Sequence, residues 1–179
     1  MLDQIAVRSD ARAHDAHADY TSSYRASAAC ARELTRLHDE IAAALADGRG
    51  LPADAKVAVE PVVRRSPARC LVQLGPVALT VAWLQRAQGT VADGELLIVV
   101  WRGEVAVRTP QGFERAHQHS GASSATALWE SVLVVSAASE MEWAWKAAGA
   151  KDDTLSSAAL AHRCVDRLLA AYAECTRER

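Results

Sequence analysis

The stretch GELLIVVWRGEVAVRT, Gly94–Thr109, decides how this chain is read. Leu96, Leu97, Ile98, Val99, Val100 and Trp101 are consecutive apolar residues. A run of that kind, rich in β-branched side chains and bounded by turn residues, is expected to be a strand covered on both faces. Asp93-Gly94 supplies the turn before it and Arg102-Gly103 the turn after it. Glu104–Arg108 then alternates, with Val105 and Val107 on one side, as a half-solvated strand does. Only Arg102 and Gly103 separate the two runs, so a tight hairpin is the simplest connection.

Upstream, three more strands are expected. Lys56–Arg65 carries Val57, Val59, Val62 and Val63, and Pro61 within it marks an edge or a bulge because proline has no ladder donor. Arg69–Leu74 follows the Ser66-Pro67 turn, and Val77–Arg86 follows Gly75-Pro76. On the latter, Val77, Leu79, Val81 and Trp83 share one face. Ala78, Thr80, Ala82 and Leu84 occupy the other, where small residues leave room for a helix. Five sequential strands with short connections make an antiparallel meander.

Helices are expected at both ends. Over residues 21–47, Tyr24, Ala28, Ala31, Leu34, Leu37 or His38, Ile41 and Leu45 recur at three- and four-residue steps. A last helix, capped by Asp153 or Thr154, runs to about Thr176 with a stripe through Leu155, Ala158, Ala159, His162, Val165, Leu168, Leu169 and Tyr172. Ala125–Ala138 reads as a third helix capped by Ser123 and Ser124, although Val132–Val135 would also suit a strand. Glu140–Lys146 alternates strictly and sets Met141, Trp143 and Trp145 on one aromatic strand face. Thr109–Ser124 is a turn-rich loop, and residues 1–20 are a polar arm or short helix.

The fold class is therefore α+β: a meander of about five to six antiparallel strands packed against N- and C-terminal helices, forming a single domain over 21–179. One sheet face is covered by the terminal helices. The other has no evident cover and is closed either by the 125–138 helix or by a second copy of the protein. The order of elements is similar to that of bacterial secretion chaperones and related small α+β dimers, a similarity of order that no motif supports and that gives no function.

Composition excludes several classes. The 179 residues carry a net charge of −2 and the pI is about 6.3, so neither nucleic acid nor anionic lipid is an expected partner. No apolar stretch is long enough to span a bilayer and the N-terminus lacks a signal-peptide core, which makes a cytoplasmic location the expectation. Cys30, Cys70, Cys164 and Cys175 form no CxxC pair and read as small buried hydrophobes in a reduced compartment.

Candidate chemistry is sparse. His117 and His119 form an HxH pair that could share a metal in an extended segment, yet two ligands make half a site. His14 and His17 are similarly spaced for a helix. Arg64, Arg65 and Arg69 flank a turn and could hold an anion. Glu140 and Glu142 share a strand face and could act as paired carboxylates, or simply face solvent. His38 and His162 lie near apolar stripes without a nucleophile motif. The glycines form no phosphate-binding pattern, and no cofactor is implied.

Five tryptophans beside one phenylalanine are the most unusual feature. They either fill the core or, at Trp143 and Trp145, line an interface. The expected function is that of a non-enzymatic binding or adaptor protein, homodimeric, using an aromatic-bearing sheet face to bind a protein partner. The alternative is a small-molecule-binding protein or enzyme with a cavity between the sheet and the C-terminal helix, lined by Trp101 and His162.

Overall fold

Each strand-forming stretch pairs antiparallel with the next one in sequence. The computed structural model describes residues 18–47, 60–86, 89–105, 125–149 and 153–177. Strands β1 (Val62–Ser66), β2 (Arg69–Leu74), β3 (Val77–Leu84), β4 (Glu95–Arg102), β5 (Thr126–Ser136), β6 (Ala144–Ala147) and β7 (Thr154–Leu155) lie side by side in chain order. Helix α1 (Tyr24–Ala46) precedes them and helix α2 (Ser157–Arg177) follows. The α+β class and the antiparallel sheet are as the sequence implied, with seven strands in place of five or six.

Register divides the sheet into two unequal faces. Cys70, Val72 and Leu74 stand beside Val81, Leu79 and Val77, and these continue to Ile98, Val100, Leu133, Val135 and Trp145. This face forms one core with Leu34, Leu37 and Ile41 of α1 and Leu160, Cys164, Val165 and Leu168 of α2. Burial of each such aliphatic side chain contributes roughly 1.5–3 kcal/mol, so the sheet and helices hold one another in place. Both helices sit on this face. Ser23 caps α1 by accepting a hydrogen bond from the Ala26 amide at 3.1 Å, and Ser156 does the same for α2 from Ala159 at 3.2 Å.

Several expectations are corrected. Residues 125–138 form β5, not a helix. The reason lies in β4: β3 fills only one of its edges, and the backbone donors and acceptors along the remaining edge need partners. The β-branched run of β5 fills the other. The expected hairpin partner thereby loses its place; Glu104 and Val105 lie outside any strand, and residues 106–108 fall outside the described ones. The similarity of element order to secretion chaperones rested on that extra helix and lapses with it.

Glu140–Glu142 belong to a turn, and Met141 is 93 % exposed, so the aromatic strand begins only after Trp143. Thr154 and Leu155, expected to open the last helix, instead pair with Lys146 and Trp145 as β7. The helix stripes also shift. In α1, Tyr24 is exposed while Ala26, Ala29 and Cys30 are buried; in α2, Leu160, Ala161 and Cys164 are buried and His162 is exposed. Ala78, Thr80 and Ala82 were expected to face a helix, yet the helices lie on the opposite side.

Gly94 leaves room for the Trp83 indole. A Cβ at this position would lie 2.1 Å from Trp83 Cζ2, far inside van der Waals contact. Gly94→Ala is expected to lower unfolding free energy by about 1–3 kcal/mol, measured by urea denaturation; an unchanged midpoint would contradict the packing described here.

His38 is 4 % exposed and its Nε2 has no hydrogen-bond partner. Burial lowers its pKa below the ordinary 6.5, and the neighbouring Arg65 pushes the same way. The unfolded chain therefore takes up this proton first as pH falls, so folding stability decreases below about pH 6.5. His38→Leu should lose less stability between about pH 7 and pH 5 than the native chain does. Parallel losses in the two proteins would rule His38 out as the source.

Candidate functional site

The four tryptophans Trp83, Trp129, Trp143 and Trp145 belong to the helix-covered side. Trp145 is fully buried and makes edge contacts with Trp83, centroids 6.0 Å apart, and Trp143, 5.8 Å apart. Its Nε1–H donates to Ser157 Oγ at 3.0 Å, and that hydroxyl donates to Glu33 at 2.6 Å. Trp143 packs half-buried against the same core. Trp129 lies under the Arg167 guanidinium, 5.6 Å from the ring centroid. The pair expected to anchor a partner thus faces inward.

Trp101 stands apart, on the opposite face. It is half-buried, and its indole leans from β4 toward β3, where Nε1–H donates to Thr80 Oγ1 at 3.1 Å. The residues sharing that face are Leu71 on β2, Ala78 and Ala82 on β3, Leu97 and Val99 on β4, and Val132 and Val134 on β5. Leu71, Ala78, Ala82 and Val99 are buried apolar residues that belong to no part of the helix-backed core. Among the described residues, no helix or strand packs over them. Val62 and Leu84, at its margins, are 51 % and 46 % exposed.

One corner of this face holds a cleft of about 100 Å³ lined by Val62, Arg64, Leu71, Gln73, Glu104 and Val105. Gln73 shapes it. Its side-chain amide donates to the carbonyls of Gly75 at 2.8 Å and Val77 at 3.0 Å, and its Oε1 accepts from the Val105 amide at 3.3 Å. The cleft is well below the ~300 Å³ at which small-molecule sites begin. The space between the sheet and α2 is filled by Leu160, Ala161, Cys164, Val165 and Leu168, each 3 % exposed or less. His162 points away from that space into solvent.

The three arginines are divided by the alternation of their strands. Arg65 reaches the helix side and pairs with Asp39 of α1. Arg64 and Arg69 stand on the opposite face with Leu71. Glu140 pairs with Arg32 at 2.9 Å, so it is a tether between the β5–β6 turn and α1. Glu142, in the same turn, is exposed. His14, His17, His117 and His119 lie outside the described residues. Among the described residues, no three His, Cys, Asp or Glu side chains gather as metal ligands would. All four cysteines are free and buried; burial raises Cys30 and Cys164 to about 12 and Cys70 to about 11, which leaves them protonated and unreactive.

What the sequence reading missed is the part that β5 plays in this face. Its signal was present in the alternation of Val132 and Val134 with Leu133 and Val135, which a helix assignment conceals. Compared with models of protein families, with curated proteins and with solved structures, the chain gives no match.

Proposed function

We propose that this is a non-enzymatic binding protein whose working surface is the sheet face opposite the helices. One observation carries the reading: an apolar floor spanning β2 to β5 bears Trp101 and has no described element above it. On that floor Leu97, Trp101, Val132 and Val134 keep partial exposure, and apolar side chains grouped in this way are the kind a protein partner covers. An aromatic residue on such a patch, with charge at its margins, matches the anatomy of protein interfaces. The original expectation of an aromatic-bearing face is kept, with Trp101 in place of Trp143 and Trp145. The protein is proposed to act as a homodimer in a reducing, cytoplasmic compartment, a setting that four unpaired thiols suit.

A photo-crosslinking residue placed at Leu97, on the floor, is expected to yield adducts larger than the chain in cells. The same residue at Asp166, exposed on α2, is expected to yield none. Equal labelling from both positions, or none from Leu97, would refute the assignment of this face.

A further inference from the structure

Strand β5 outruns its neighbour. It spans eleven residues, Thr126–Ser136, whereas β6 spans four, Ala144–Ala147. The two pair from Leu133 to Ser136, and one further bond, from the Ala148 N–H to the Val132 carbonyl at 3.1 Å, ends the contact. Between Thr126 and Ser131 the inner edge of β5 lies on β4. Among the described residues, nothing pairs with its outer edge there. Thr126, Ala127, Leu128 and Glu130 are exposed, Leu128 to 40 %. Alternation from Val132 turns the Glu130 N–H and C=O outward. An open edge of this kind is a template for another strand. The sheet's outermost edges are poorer ones: β1 has Pro61 just before it and exposed Arg64 and Arg65 within it, and β7 has two residues. Thr126–Ser131 holds no proline and one charged residue, Glu130. The bulge opposite Val100 and Trp101 bends its start and keeps a guest strand short.

We infer that this edge takes up an extended segment of another protein as an added strand, and that the segment carries a basic residue followed at once by an acidic one. The site is separate from the sheet face discussed above. Its chemistry comes from the two sides of β5. Trp129 lies on the helix side with the Arg167 guanidinium 5.6 Å from its ring centroid. No described carboxylate pairs with that guanidinium. Glu130, the next residue, stands on the opposite face beside Val99, and no described cation pairs with it. A guest residue facing Glu130 is therefore basic, and one facing Trp129 is acidic and reaches Arg167. An antiparallel guest passes Ser131, Glu130 and Trp129 in that order, which puts its basic residue first. Main-chain bonds to the open edge supply affinity, and the two charges supply choice of sequence.

A second copy of the chain does not meet these terms. A two-fold axis perpendicular to the sheet would pair β5 with itself, centred on a single residue. Centred on Glu130, it opposes two glutamates; centred on Trp129, it brings two Arg167 side chains together. Centred on Ser131, it runs into Leu133, whose outer edge β6 already holds.

The test is fluorescence anisotropy of a short labelled peptide, valine and threonine around a central lysine–glutamate pair, titrated with the full chain at low salt. Saturable binding is expected. Glu130→Pro is expected to abolish it, because proline removes the outward N–H and leaves the bonds to β4 in place. Arg167→Glu is expected to weaken it roughly fivefold, and a peptide with lysine in place of its glutamate to recover the loss. Circular dichroism of each variant separates loss of binding from loss of fold; should Glu130→Pro not fold, the Arg167→Glu pair of titrations decides. A peptide that fails to bind the native chain, or that binds Glu130→Pro or Arg167→Glu as tightly, would overturn the inference. Self-association seen by sedimentation and abolished by Glu130→Pro would overturn it too, by giving the edge to a second copy. Crosslinking from Leu97 reports on the sheet face alone, so either reading can fail while the other stands.

Discussion

The architecture hangs on how Trp145 is held. This β6 side chain is fully buried, wedged edge-on between Trp83 and Trp143. Its indole N–H needs a partner once buried, since an orphaned donor costs about 1–3 kcal/mol. Ser157 supplies one, and the hydroxyl passes its own proton to Glu33. Ser157 opens α2 and Glu33 lies on α1, so a single polar chain ties the sheet to both helices. The Glu33 carboxylate also lies at the N-terminal end of α2, where the helix dipole favours a negative charge. With both long helices committed to the Trp145 side, neither packs on the other face.

Much of this was legible in the chain because the responsible signals are local. The strand at Leu96–Trp101 followed from a run of apolar residues between two glycine turns, and β2 and β3 followed from alternation between Gly75-Pro76 and its neighbours. The two long helices followed from their period. What failed was decided by contacts distant in sequence. Residues 126–136 carry signals for both helix and strand, and only the vacant edge of β4 selects strand. Trp143 and Trp145 alternate as a surface-exposed pair would. Their burial depends on Trp83, more than fifty positions away, and on a serine at the start of α2. Pairing of Thr154 and Leu155 with β6 likewise overrode a local cap signal.

The candidate site was less legible than the fold for a related reason. Its residues are individually bland: Leu71, Ala78, Ala82, Val99 and Val132 would serve any core. They are set apart as a second sheet face only when both helices are known to lie on the other side. Trp101, named at first as the lining of a cavity, belongs to that surface instead. The arginine cluster at 64–69 shows the same dependence. Strand alternation sends Arg65 to Asp39 and leaves Arg64 on the uncovered face, so proximity in sequence did not become a shared site.

Incorporation of 5-fluorotryptophan, with ¹⁹F resonances assigned by single Trp→Phe substitutions, tests the division of faces most directly. The account requires that Trp145 show no shift between H₂O and D₂O at any protein concentration. It also requires that Trp101, half-buried on the other face, show such a shift. A solvent-sensitive Trp145, or a Trp101 insensitive to solvent throughout, would contradict the placement of both helices on a single side of the sheet.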